Sequence, residues 1–381
     1  MNRHYKRYIT CILLLLSCAL VGCNGLPSME SSASTPTPSP TLPPRRDPLL
    51  VLRMLNKTNG WAVTERSVVR TVNGGQSWHD VTPNTPGRIV LLRGEFRDEL
   101  RGWLSVVLQN EQKVHVYRTV DGGQSWQDAV LSGLPLHGAM TPHFINLDEG
   151  WLECMGASDA GSMVVALFHT RDGGEHWEKL ATTEDPASGL PRRGVKNGLT
   201  FKDATTGWAT GSEPSGAPWL YKTTDQGKTW KRQSLPTLEG QQLAYRTTPP
   251  ILIGDYGMMP VYVQGKLDGK PTEGTLLYKT YDGGETWQPD YPQEPGALVR
   301  ESLENLYIVD AQHAWGSDPE GQTMYFTANA GKSWKKLSTN IGHFRALSFV
   351  DMQNGWAVDA SSLYVTADGG SHWRKVTYSI R

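Results

Sequence analysis

The chain has 381 residues, with 37 Lys and Arg against 38 Asp and Glu and a formal net charge of −1. Dispersed, balanced charge argues against a nucleic-acid surface, which needs clustered Lys and Arg. Forty Gly and 24 Pro beside only 38% hydrophobic residues fit many short strands joined by tight turns.

Residues 1–22 read as a leader: Arg3, Lys6 and Arg7 form a basic start, and Ile12 to Leu20 is an apolar run too short to span a membrane. Leu20-Val21-Gly22-Cys23 resembles a bacterial lipobox. The resemblance implies cleavage before Cys23 and a diacylglyceryl thioether on it, usually with an N-acyl chain, which gives lasting membrane attachment. The competing reading is an ordinary cleaved signal with an incidental Cys. Cys11 and Cys18 leave with the leader, so Cys154 has no partner for a disulfide and reads as a core residue. Residues 23–47 are rich in Ser, Thr and Pro and have little to bury. They are expected to form a disordered tether, whose stretch from Pro27 to Pro44 could reach on the order of 50 Å.

From residue 48 onward one unit recurs seven times, typified by Thr280-Tyr281-Asp282-Gly283-Gly284-Glu285-Thr286-Trp287. Successive box tryptophans stand 39 to 57 residues apart, the length of a four-stranded blade. The acidic or amide residue of each box is Asn73, Asp121, Asp172, Asp225, Asp282, Asn329 or Asp368. Such a side chain closes a turn by accepting from the N–H groups just after it, and the Gly pair supplies positive φ. Because these residues repeat around a ring, they cannot share one site, and their role is structural. Upstream stands a second motif, an apolar residue, Asp or Asn, then Gly-Trp, as in Phe96-Arg97-Asp98 before Gly102-Trp103. The first repeat carries only Gly60-Trp61, and the fifth has Asp255-Tyr256-Gly257-Met258 where Gly-Trp is expected, so its inner strands are not placed.

Just ahead of each box run two adjacent apolar residues, such as Val116-Tyr117 and Leu277-Tyr278, which means a strand covered on both faces. The fold class is therefore all-β: a seven-bladed β-propeller of four-stranded antiparallel blades, A to D, over residues 48–381. The second motif makes the A–B turn and the box the C–D turn, so both lie on one side of the disc. The B–C and D–A connections, which carry nearly all the length variation, lie on the other. Function is expected there.

On that variable side, Arg192, Arg193 and Lys196 form a dense basic cluster. Tyr245 and Arg246 fall in the longest D–A connection, and Trp219 opens a C strand beside a Gly/Pro-rich loop. Together they make a candidate cationic and aromatic patch for a partner protein or a sugar. The competing reading is a solvated loop with a packed Trp. The histidines show no metal-ligand spacing, and no metal or cofactor is expected.

These motifs resemble those of Asp-box (BNR-type) β-propellers, and within them the photosystem II assembly-factor-like family. The resemblance covers about Pro48 to Arg381. It implies a monomeric, non-catalytic scaffold for an extracytoplasmic or membrane protein complex, lipid-anchored outside the cytoplasm. The alternative is glycan binding or a sialidase-like glycoside hydrolase. Sialidases carry a Phe/Tyr-Arg-Ile-Pro motif, whose nearest match, Gly87-Arg88-Ile89-Val90, fails at Pro.

Overall fold

The computed structural model describes residues 47–132, 136–238, 242–267, 269–289, 304–318, 321–339 and 341–381. The leader, Cys23 and the Ser/Thr/Pro-rich stretch through residue 46 lie outside the described residues. Apart from one 3-10 turn at Pro186–Ser188, the regular structure described is strand.

The second repeat shows the plan. Ile89–Phe96, Gly102–Leu108, Val114–Thr119 and Gln127–Leu131 pair in order, each antiparallel to the next. The sixth and seventh repeats form four-stranded sheets in the same way. In all, six hydrogen-bonded sheets carry the seven repeats, because the fourth and fifth share a nine-stranded one. The link is Gln242–Thr247, which touches Ser212 of the fourth repeat through Arg246 and runs antiparallel to Tyr256–Leu267 of the fifth. Pro249 and Pro250 then break the line, and Ile251–Ile253 pairs with the start of the same long strand. Proline has no N–H for the ladder, so the innermost strand of this repeat is split in two. Sequence expectation put Tyr245 and Arg246 in a connection; they lie in a strand.

Six clusters of buried side chains form the core, each between successive repeats, and one of them joins the first to the seventh. The tryptophans of the Gly-Trp motifs fill these gaps, with Trp61, Trp151, Trp208 and Trp315 fully buried. Each of four stacks on the Phe of the next repeat: Trp61 on Phe96 (4.7 Å), Trp103 on Phe144 (3.8 Å), Trp151 on Phe201 (3.8 Å) and Trp315 on Phe349 (4.0 Å). Each such Phe also lies flat across the Gly of its own repeat. A Cβ on Gly102, Gly150, Gly207 or Gly355 would stand 2.4 to 2.7 Å from that ring. The Gly-Trp pair is thus one device: Gly clears space for a ring that the previous Trp then covers. The sixth repeat confirms the rule by exception, pairing Ala314 with the slimmer Ile308.

The boxes close as their chemistry dictates. In the fifth, Thr280 Oγ1 donates to Asp282 Oδ1 (2.7 Å), Gly284 N to Thr280 Oγ1 (2.8 Å) and Thr286 N to Asp282 Oδ1 (2.9 Å). Where Asn replaces Asp, the outer bond reverses: Asn73 Nδ2 donates to Ser77 Oγ at 2.9 Å. In every repeat the amide after the box Asp or Asn donates to a carbonyl of the A–B turn. Examples are Gly74 to Thr58 (2.8 Å), Gly283 to Asp255 (2.9 Å) and Gly369 to Gln353 (2.9 Å). The two turns therefore share one side, as strand parity requires. Asn56, which the sequence reading passed over, plays the turn-closing part in the first repeat by accepting from Thr58 N and Asn59 N.

Closure adds one more strand. Ser379–Ile380 pairs in parallel with the outermost strand of the first repeat, matching Ile380 to Trp78. Each inner strand still comes from its own repeat.

Candidate functional site

The long connections meet. Gly194 N donates to Gly161 O at 2.8 Å, joining the connection into the fourth repeat to the B–C tip of the third. A Cβ on Gly161 would lie 2.3 Å from Pro214 Cγ, in the B–C loop of the fourth. Gly216 of that loop accepts from Tyr245 N at 2.9 Å. Residues far apart in sequence are thereby gathered on the side away from the boxes.

The structure sorts the candidates by depth. Arg192, Arg193 and Arg246 are exposed, whereas Lys196, Trp219 and Tyr245 are buried. Lys196 corrects the expectation of a surface cation. Strand alternation in Val195–Phe201 turns it inward, where Nζ donates to Arg192 O (2.8 Å), Gly194 O (2.9 Å) and Met163 O (3.2 Å). The ammonium stands 5.3 Å from the centre of the Trp219 ring, and Trp219 Nε1 donates to Arg193 O at 3.2 Å. Both side chains therefore clamp the Arg192–Gly194 backbone. Tyr245 is likewise internal, its hydroxyl accepting from Leu238 N at 3.0 Å.

Burial pulls the Lys196 pKa down to about 8, opposed by the carboxylate of Glu153. Glu153 is itself buried, and desolvation pushes it up to about 7 against the pull of Lys196. A Glu–Lys pair below the loop is a feature no local sequence signal announces.

What reaches solvent is guanidinium balanced by carboxylate. Arg193 lies 3.9 Å from Glu213 and Arg192 lies 3.6 Å from Glu184, while Arg232 donates to Glu213 and to Pro218 O (2.9 Å). A cavity of about 460 Å³ opens among Arg193, Glu213, Trp219, Tyr221 and Arg232. Arg246 lies flat over the Tyr262 ring at 4.0 Å, a rigid cationic plane at the edge of the same region. Such stacked, forked groups suit carboxylate and amide partners. Arg232 was missed in the sequence because, with Lys228 and Lys231, it falls at the fourth box and the strand just after it rather than in a long connection.

On the opposite side, Asp172, Glu175 and His176 bring possible metal-ligand atoms within 4.8 Å of one another. Their atoms are already engaged: His176 with Asp172 at 2.7 Å, and Arg118 with Glu175 at 3.0 Å. This is the box turn at work.

No protein-family model matches the chain. The solved structure of YCF48 bound to D1 peptide superposes with a TM-score of 0.55 at 18% identity, covering 86% of this chain and 95% of that one. The chain has a β-propeller fold. A xyloglucanase from Xanthomonas campestris superposes on this propeller at 14% identity with a TM-score of 0.59, over 87% of the chain and 54% of the enzyme. At such identities the shared property is the fold. By sequence, the propeller is 26% identical over 161 residues to the chloroplastic photosystem II stability/assembly factor HCF136 of Oryza sativa subsp. japonica. That match spans 42% of this chain and 33% of the rice protein.

Proposed function

We propose that this chain is a membrane-anchored, non-catalytic binding propeller that holds a protein partner on its long-connection side. Seven blades are proposed, the fourth and fifth fused through Gln242–Thr247. The observation that carries the reading is the gathering of Arg193, Arg232 and Arg246 around one set of interlocked loops, on a scaffold whose other side is given to turns. Charge-assisted, bidentate contacts from rigid guanidinium groups are a common way to fix a peptide or an acidic surface. The likeness to the rice assembly factor and to YCF48 bound to D1 peptide supports a protein as the partner. Lipidation at Cys23 would tether a monomer outside the cytoplasm, at the membrane where such a partner is assembled. The xyloglucanase likeness is of fold alone, and no catalytic residue is carried from it.

The test is site-specific photo-cross-linking in membranes. A photoreactive residue at Arg246 should capture one protein, and the same group at the exposed Gln76 on the box side should not. Capture from Gln76 alone, or of polysaccharide in place of protein, would overturn the reading. Cys23→Ser should move the chain from the membrane fraction to the soluble one.

A further inference from the structure

The innermost strands surround a central opening whose polar residues belong to neither the boxes nor the long connections. Arg53, on Val51–Met54 of the first repeat, donates from Nη1 to Tyr307 Oη of the sixth at 3.0 Å. Tyr307 passes the bond on to Phe349 O of the seventh at 2.8 Å. Arg53 thus reaches the sixth repeat along the inner strand of the seventh, whose Phe349 and Val350 line the same cavity. From the other flank comes Arg97, which follows Ile89–Phe96 and is fixed by Nη2 donating to Ile145 O at 3.2 Å.

Two adjoining cavities, of about 520 and 420 Å³, are each lined by both Arg53 and Arg97. The Arg97 side chain is 40% exposed, with Nη1 3.8 Å from Glu95 Oε1. Among the described residues, Glu95 is the one carboxylate that pairs with either guanidinium across the cavity. Two positioned guanidinium groups thus face a solvent-filled space with donors to spare.

We propose that Arg53 and Arg97 form an oxyanion-binding site in the central channel, with Tyr307 and the Ile145 carbonyl as their positioning groups. Its ligand is a small free anion of the sulfate or carboxylate class, which the planar donor fork fits. The wall behind them tunes the site. Glu95 Oε2 accepts from Phe144 N at 3.1 Å, and its side chain is half-buried. Burial pushes its pKa up to about 7, against the pull of the Phe144 N–H, Arg97 and Arg53. The other titratable group beside it, His143, is kept below its ordinary value by burial, bonds Phe201 O at 3.0 Å, and adds no charge near neutrality. Of the other carboxylates lining these cavities, Asp98 is tied to Arg101 at 2.8 Å and Glu99 accepts from Asn56 Nδ2 at 3.0 Å. Glu95 therefore competes with an incoming anion when ionised and yields when protonated, so binding strengthens as pH falls from 8 to 6.

The experiment is calorimetric titration of the folded chain with sulfate, and separately with acetate, at fixed ionic strength set by chloride. One site is expected, tighter at pH 6 than at pH 8. Arg53→Gln and Arg97→Gln should each weaken it by about tenfold or more, a loss of about 1.4 kcal/mol. Glu95→Gln should bind equally at both pH values and as tightly as the parent does at pH 6. Binding unchanged in both arginine variants, or a pH dependence that survives Glu95→Gln, would overturn the proposal. If Arg53→Gln fails to fold because it also loses Tyr307, Arg97→Gln decides alone.

Discussion

The indole Nε1 of Trp356 donates to the carbonyl of Gly74 at 3.0 Å, so the last repeat is fastened to the first box in the chain. The same bond runs from Trp103 to Gly173 (2.6 Å), from Trp151 to Gln226 (2.8 Å) and from Trp315 to Gly369 (2.9 Å). Trp208 reaches the fifth box through Gln233, whose amide donates to Gly284 O at 3.0 Å. Trp61 instead meets Asp98 O in the A–B turn of the second repeat, at 2.9 Å. Trp356→Phe keeps an aromatic ring but removes the donor and part of the buried indole, and it should cost about 1–3 kcal/mol in equilibrium denaturation. No loss beyond that of an exposed-site control would show that the bond contributes nothing to closure.

The parallel strand at Ser379–Ile380 is a second fastening, with Arg381 N donating to Trp78 O and Asp80 N to Arg381 O, both at 2.9 Å. Deleting residues 379–381 should lower the melting temperature and speed hydrogen exchange in Ser77–Asp80 before the remaining strands. Uniform exchange across the sheets would argue against a local seam.

The packing of Phe over Gly makes a sharp test. A Cβ on Gly150 would stand 2.5 Å from Phe144 Cδ1, so Gly150→Ala should destabilise by about 1–3 kcal/mol through overpacking. Adding Phe144→Ile, to copy the Ile308–Ala314 pair, should recover part of that loss. A double-mutant cycle with no coupling would refute the shared-space argument.

The boxes predict acid lability. Hydrogen bonds from Ser125 hold Asp121 down to about 2, and those from the His372 amide and ring do the same for Asp368. A carboxylate whose pKa is lowered on folding stabilises above its unfolded value, near 4, and that contribution disappears as pH falls toward 2. Asn73 and Asn329 keep the same turn without a titrating group. Asp121→Asn should therefore flatten the stability profile between pH 4 and 2 without changing neutral stability much, as thermal melts across that range would show.

Glu153 has the opposite sign. Its folded pKa is raised to about 7, so its favourable contribution is full below about 4.5 and is lost as pH rises through 7. Among the described residues its buried Oε1 has no hydrogen-bond partner. Glu153→Gln should gain about 1–3 kcal/mol at pH 8 and nothing at pH 4. A loss at pH 8 would mean that the attraction to Lys196 outweighs the cost of burial.

The residues explain what could be read ahead. The boxes, the Gly-Trp motifs and the doubly covered strands repeat at fixed offsets, so architecture and the common side of both turns were legible from local chemistry. Direction of bonding was not, since nothing in Gly102-Trp103 says that its indole serves the third repeat. The fifth repeat was opaque because Met258 occupies the Trp position, near Gly331 of the sixth box, and a proline pair splits its inner strand. At the candidate site, Pro191 to Lys196 read as one basic surface. Arg193 stands in water just before the strand, whereas alternation within it turns Lys196 under three carbonyls, a distinction that depends on register rather than composition.

Because most Gly-Trp tryptophans bond and stack onto the following unit, no unit is complete in isolation. Excising one leaves a donor and a bare aromatic face upstream, and an uncovered ring downstream. The fifth-to-sixth junction, where Met258 stands in for indole, is the place where adding or removing a copy disturbs the fewest such contacts.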